Sequence, residues 1–196
     1  MKNINELKND LIEISRRCFS RGLTSGAGGN ISVRIPGEDK VLVTGTGISF
    51  IDTGLENIIT VDLDANVVEG NLKPSKEIRW HCGIYKLRGD VGAIVHSHSP
   101  ASIAFAVSNK LIPLLTTPIA KTLGNQKIIP PADPGSEKLE GYVLKAFADK
   151  ENQSLKVLLM QDHGAIAVGK TLTEAFNTAD VLEDAAKVAI YKELIK

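Results

Sequence analysis

Across residues 171–195 the apolar side chains Leu172, Ala175, Phe176, Ala179, Leu182, Ala186, Ala189 and Ile190 recur at three- and four-residue steps. That is the spacing of a long helix with one buried face. Thr171 followed by Glu174 fits a capping box at its start. Such a helix needs a broad apolar surface to lie on, and short strand-like runs at residues 31–35, 40–43, 58–63, 91–98, 156–160 and 165–168 offer one. An amphipathic opening helix carries Ile4, Leu7, Leu11, Ile14 and Cys18 on one face and runs to about Arg21. Further helices are expected from Pro74 and Ser75 through Leu87, over 101–108 and over 137–149, while the proline-punctuated stretch 111–135 reads as irregular. Mixed strands and helices predict an α/β domain with helices on both faces of a sheet. With no repeat or linker in view, residues 1–196 read as a single domain.

Lys plus Arg and Asp plus Glu both number 23, so the surface as a whole supplies no basic field for DNA or RNA. The N-terminal MKNINELKND lacks the basic start and apolar run of a secretory signal, and no apolar stretch runs long enough to span a bilayer. A cytosolic protein with no membrane or nucleic-acid partner is expected. Cys18 and Cys82 are far apart in sequence and read as reduced, packed thiols.

The chemistry-bearing residues fall in five segments. In VHSHS, His96 and His98 stand two apart in a predicted strand, where alternation sends both imidazoles to one face. A catalytic zinc usually takes three protein ligands and keeps one position open, and His163 in QDHG is the natural third; His81, inside a predicted helix, reads as a core or surface residue. SGAGGNIS (residues 25–32) and TGTGI (residues 44–48) are glycine-bearing turns whose free N–H groups, beside Asn30, Thr44 and Thr46, can cradle a phosphate. KPSKE (residues 73–77) adds a helix N-terminus with the Ser75 hydroxyl and Lys76 ammonium. Glu77 falls in that helix's first turn, where a carboxylate is favoured on structural grounds alone, yet it would also lie between metal and anion pocket. TGTGIS is too short and badly placed for a dinucleotide fingerprint.

Together, GLTSGAGGNISVR, TGTGI, KPSKE, HSHS and QDHG, in this order and spacing, resemble the class II aldolase and adducin-head family over nearly the whole chain. The resemblance implies a three-layer α/β/α sandwich with a largely antiparallel central sheet. It implies Zn²⁺, or another divalent transition metal, on His96, His98 and His163, with Glu77 as resting-state ligand and acid/base. It implies a phosphate pocket of Gly29, Asn30, Thr46, Gly47, Ser75 and Lys76. Family enzymes are commonly homotetramers with active sites between subunits. The implied reaction is a reversible retro-aldol cleavage of a small phosphorylated ketose, of the L-fuculose 1-phosphate kind, to dihydroxyacetone phosphate and an aldehyde.

Three departures bear on that reading. Thr117 stands where the aldolase branch has a tyrosine reaching in from a neighbouring subunit, the sequence ends at Lys196 without that branch's C-terminal tail, and Lys76 replaces a second serine of the phosphate motif. The 4-epimerase branch has aspartate in place of Glu77, and residues 111–124 contain no glutamate of the kind the dehydratase branch uses. A decarboxylase of phosphorylated 3-oxo sugar acids is the main alternative, and a non-catalytic adducin-like module a further one, which the retained histidines and Glu77 oppose.

Overall fold

The computed structural model describes residues 3–149 and 154–195. Helix α1 (Ile4–Ser20) starts at Asn3, whose side chain accepts from the Glu6 backbone while the Glu6 carboxylate answers the Asn3 N–H, and it stops before Gly22 at φ +70°. Strands β1 (Asn30–Arg34), β2 (Lys40–Thr44), β3 (Ile58–Asp62) and the short β4 (Val67–Glu69) follow. Helix α2 (Ile78–Leu87), β5 (Ala93–Ser97), α3 (Pro100–Val107), α4 (Thr117–Leu123), β6 (Gln126–Ile129), α5 (Glu137–Ala148), β7 (Val157–Met160), β8 (Gly164–Gly169) and α6 (Leu172–Leu194) complete the order.

The strands form one eight-stranded sheet in the order β4-β3-β2-β1-β5-β8-β7-β6. Every pairing is antiparallel except β6 with β7. Period-two alternation deals side chains to two layers. Val41, Val43, Ile94, Leu158 and Ile166 pack on one side with Ile78, Ile84, Val143 and Phe147 of α2 and α5. Leu42, Ala93 and Val95 pack on the other with α1 and the start of α6, and Val157, Leu159 and Ala165 with α3 and the rest of α6. The architecture is therefore the expected three-layer α/β/α sandwich with a largely antiparallel sheet.

Two expectations need correcting. The stretch 111–135 is not irregular throughout, since it holds α4, capped by the Thr116 hydroxyl on the Ile119 N–H, and the edge strand β6. Helix α2 starts at Ile78, later than expected: the Lys73 carbonyl accepts from Thr46 and Pro74 bridges to Gly45, which holds the chain extended up to Ser75. Ser75 then closes a turn, its hydroxyl accepting from the Glu77 N–H at 3.2 Å and its carbonyl from Ile78 at 3.1 Å. Glu77 is thus the residue that caps the helix rather than one in its first turn.

Candidate metal centre and anion cleft

His96 lies near the C-terminal end of β5, on the face that Ile94 turns toward α2, and its side chain is wholly buried. The ring is oriented by its Nδ1, 3.0 Å from the Ala165 carbonyl. A carbonyl only accepts, so Nδ1 carries the proton and the Nε2 lone pair is left facing the site. His98 follows the strand's last residue, tied back by its N–H to the Leu23 carbonyl at 3.0 Å. His163 sits in the tight β7-to-β8 connection, after Asp162 at φ +60°. Gly164 is obligatory by space: a Cβ there would strike the Ser97 carbonyl and come within 2.9 Å of the His98 ring.

The three imidazoles converge, with one ring nitrogen from each lying within 4.8 Å of the others. His96 Nε2 is 3.0 Å from His98 Nε2 and 3.3 Å from Glu77 Oε2, and His163 Nε2 is 3.6 Å from Glu77 Oε1. Burial holds the rings neutral, pulling His96 down to about 3 and His163 to about 4, with His98 lowered as well. Lone pairs and a carboxylate thus point at one spot, and Glu77 Oε1 is buried without a hydrogen-bond partner. Such a donor set suits a cation: nitrogens sharing a tetrahedral zinc at about 2.05 Å would stand about 3.3 Å apart. The residues fit a divalent metal of the borderline class that imidazole prefers.

Beside His96 opens a cleft of about 390 Å³ lined by Gly29, Asn30, Thr46, Ser75, Lys76 and Glu77, and by His98 and His163. Gly47, expected there, is not among the lining residues. Gly29 has φ +77°, and a Cβ on it would come within 2.6 Å of the His96 carbonyl. Thr44 also lines the cleft, and its hydroxyl, at the end of β2, accepts from the Ile31 N–H of β1 at 3.1 Å. Asn30 joins the two halves of the site, with its Nδ2 2.9 Å from Glu77 Oε2 and 3.3 Å from the Ser75 hydroxyl. Thr117 opens α4 as an exposed residue.

Sequence reasoning missed two contributors. Pro134 and Gly135 also line the cleft, Gly135 at φ +74° packed against Lys76; the PADPGS run was a visible turn signal but gave no hint of its partner. Of the core and surface readings left open for His81, the structure gives the core: the ring is fully buried, with Nε2 on the Asn30 side-chain oxygen.

The model of the class II aldolase and adducin N-terminal domain matches residues 9–190. The chain belongs to this family. The L-fuculose phosphate aldolase of Methanocaldococcus jannaschii is 34% identical over 189 residues, covering 96% of this chain and 98% of that protein. The 3-oxo-tetronate 4-phosphate decarboxylase of Haemophilus influenzae is 32% identical over 188 residues, covering 92% and 85%. Among solved structures an L-fuculose 1-phosphate aldolase superposes with a TM-score of 0.87 at 28% identity, covering all of this chain and 90% of the other. This family member is accordingly a carbon–carbon lyase, and no helix among its described residues is long and apolar enough to cross a membrane.

Proposed function

We propose that this lyase is a zinc-dependent aldolase that reversibly cleaves a small phosphorylated ketose to dihydroxyacetone phosphate and an aldehyde. The observation that carries the reading is Glu77, held between three converging histidines and a glycine-lined cleft. His96, His98 and His163 would hold the ion, with Glu77 completing the set at rest. Bound there, the metal would supply Lewis-acid stabilisation of the negative charge that develops when the carbon–carbon bond breaks.

The chain's own residues supply the rest. Backbone N–H groups around Gly29 and Thr46, with Ser75 and Lys76, bind the phosphate and fix the reacting carbons relative to Glu77. Displaced by substrate, the Glu77 carboxylate takes up, through solvent, the proton lost by the hydroxyl that becomes the aldehyde, and as the acid delivers it to the carbon released by cleavage; the same transfers run in reverse for the condensation. Lys76 also fits a second anionic group, and the decarboxylase relative gives the alternative a footing, though no better one. The exposed apolar residues Val107, at the end of α3, and Leu111, Leu114 and Leu115 after it support a homotetramer with sites between subunits, which light scattering would test. The buried, unpaired Cys18 and Cys82 fit a cytosolic setting.

A coupled assay for dihydroxyacetone phosphate release from a panel of ketose 1-phosphates tests the reading, with added zinc or with chelator. Zinc-dependent release that falls at least about 100-fold in Glu77→Gln is expected. Carbon dioxide release from a phosphorylated 3-oxo sugar acid, with no release from any ketose phosphate, would instead establish the decarboxylase.

A further inference from the structure

Two periodicities mesh behind the cleft. On β1, Asn30 and Ser32 stand two apart and face α2; Glu77, His81 and Tyr85 follow at steps of four at the start of α2 and along it. Two strand residues advance about 6.6 Å and four helical ones about 6 Å, so the two rows stay in register. The result is a continuous buried ladder. Glu77 Oε2 is 2.9 Å from Asn30 Nδ2, Asn30 Oδ1 2.5 Å from His81 Nε2, His81 Nδ1 2.7 Å from the Ser32 hydroxyl, and that hydroxyl 2.8 Å from the Tyr85 hydroxyl. Asn30, Ser32, Glu77, His81 and Tyr85 are all buried, and Trp80 stacks on the His81 ring at 4.0 Å.

Chemistry at both ends gives the ladder a direction. An ionised Glu77 only accepts, so the Asn30 NH₂ must face it and the Asn30 carbonyl must face His81. That carbonyl needs a donor, which puts the His81 proton on Nε2 and leaves Nδ1 to accept from Ser32. Ser32 in turn accepts from Tyr85, whose phenol burial keeps protonated. Reversing the ladder would turn the amide oxygen toward the carboxylate and leave the Tyr85 proton without its acceptor.

We propose that His81 is a positioning residue: its Nε2–H locks the Asn30 amide with its NH₂ toward the Glu77 carboxylate and the Ser75 hydroxyl. The phosphate cleft and the acid/base group are thereby oriented by one side chain that touches neither. Its catalytic consequence rests on the role proposed for Glu77; its structural content does not.

The test pairs two substitutions that cost the same stacking on Trp80. His81→Gln keeps an N–H near the former Nε2 position, whereas His81→Asn reaches only toward the former Nδ1. In metal-free protein the Asn30 side-chain amide, assigned by its loss in Asn30→Asp, is followed by ¹⁵N–¹H NMR. Wild type and His81→Gln are expected to show a dispersed, slowly exchanging pair, and His81→Asn a pair exchanging at least 10-fold faster. In the zinc-loaded enzyme kcat is expected to fall about 10–100-fold in His81→Asn with KM changed less, and to be largely rescued in His81→Gln. Equal behaviour of the two folded variants in both measurements would reduce His81 to a packed core residue and overturn the proposal. Should His81→Asn fail to fold, Ser32→Ala takes its place: loss of the donor to Nδ1 frees the tautomer, and unchanged Asn30 exchange would likewise overturn it. A wild type inactive on every ketose phosphate would refute the aldolase reading alone, since the NMR result needs neither metal nor substrate.

Discussion

At the scale of single residues the site depends on what is absent as much as on what is present. Gly164 has an ordinary backbone, and its lack of a side chain is what lets β8 approach the Ser97 carbonyl and the His96 and His98 rings. A methyl group there must displace the Ser97 backbone or the His98 ring. Gly164→Ala is therefore expected to cost about 1–3 kcal/mol of stability and to weaken zinc binding about 10-fold or more. Denaturant melts with and without zinc, and a competition titration against a chromogenic chelator, would measure both. Unchanged affinity would mean that His98 relaxes around the methyl without leaving the metal position.

At the scale of elements, α3 is tethered from across the fold. The Glu183 carboxylate of α6, 1% exposed, accepts from the Ala101 and Ser102 N–H groups at 3.1 and 2.9 Å and from the Ser102 hydroxyl at 3.0 Å. It thus serves as the N-terminal cap of α3 in place of Ser99, whose hydroxyl is buried without a partner. Because α3 begins two residues after His98, the tether also steadies the backbone of that proposed ligand. Glu183→Ala strands three buried donors, two backbone N–H groups and a hydroxyl, and should destabilise by about 2–4 kcal/mol, with Glu183→Gln costing less; a thermal melt would decide. None of this was legible in the sequence, where Glu183 is one of two adjacent acids, with Asp184, after Leu182, and its partners lie 82 and 81 positions away. The elements themselves were legible where periodicity had room to show: α1, α5, α6 and the strands β1, β2, β3, β5, β7 and β8 all formed where the pattern put them. The missed ones are short. β4 is three exposed residues, α4 spans seven, and β6 is a half-buried edge strand running into Pro130. The capping box on α6 was half right, since the Thr171 hydroxyl accepts from Glu174 but the Glu174 carboxylate takes the Lys170 N–H instead. The His96 and His98 pair was readable because its two-residue spacing is local, and His163 because its QDHG segment is one of those that carry the family resemblance; the His81 ladder was not, because it exists only once β1 lies against α2.

At the scale of the whole molecule, the chain's four histidines give its stability a pH dependence with a definite sign. Burial lowers all of them: His96 to about 3, His163 to about 4, His81 well below the usual range and His98 in the same direction. An unfolded chain takes up these protons near pH 6.5, while the folded, metal-free chain does not. Below about pH 6.5 the unfolded state therefore binds more protons, so the stabilisation is complete above that value and is lost as the pH falls. Each histidine contributes a slope of about 1.4 kcal/mol per pH unit until its own folded value is reached. Zinc on the proposed ligands would add to the same trend: at a thousand times its dissociation constant it would stabilise by about 4.1 kcal/mol, and acid would release it by protonating those ligands. Urea unfolding between about pH 7.5 and 4.5, with chelator or with zinc, is expected to show a steep acid limb in both series and a wider gap between them at the alkaline end. His81→Asn should flatten the chelated limb by about one histidine's share while leaving the zinc-dependent gap at neutral pH nearly intact, because His81 lies outside the proposed ligand set. A limb that stays flat through pH 5.5 would show that the rings take protons within the fold, and the converging lone pairs on which the metal site depends would then be a property of neutral pH alone.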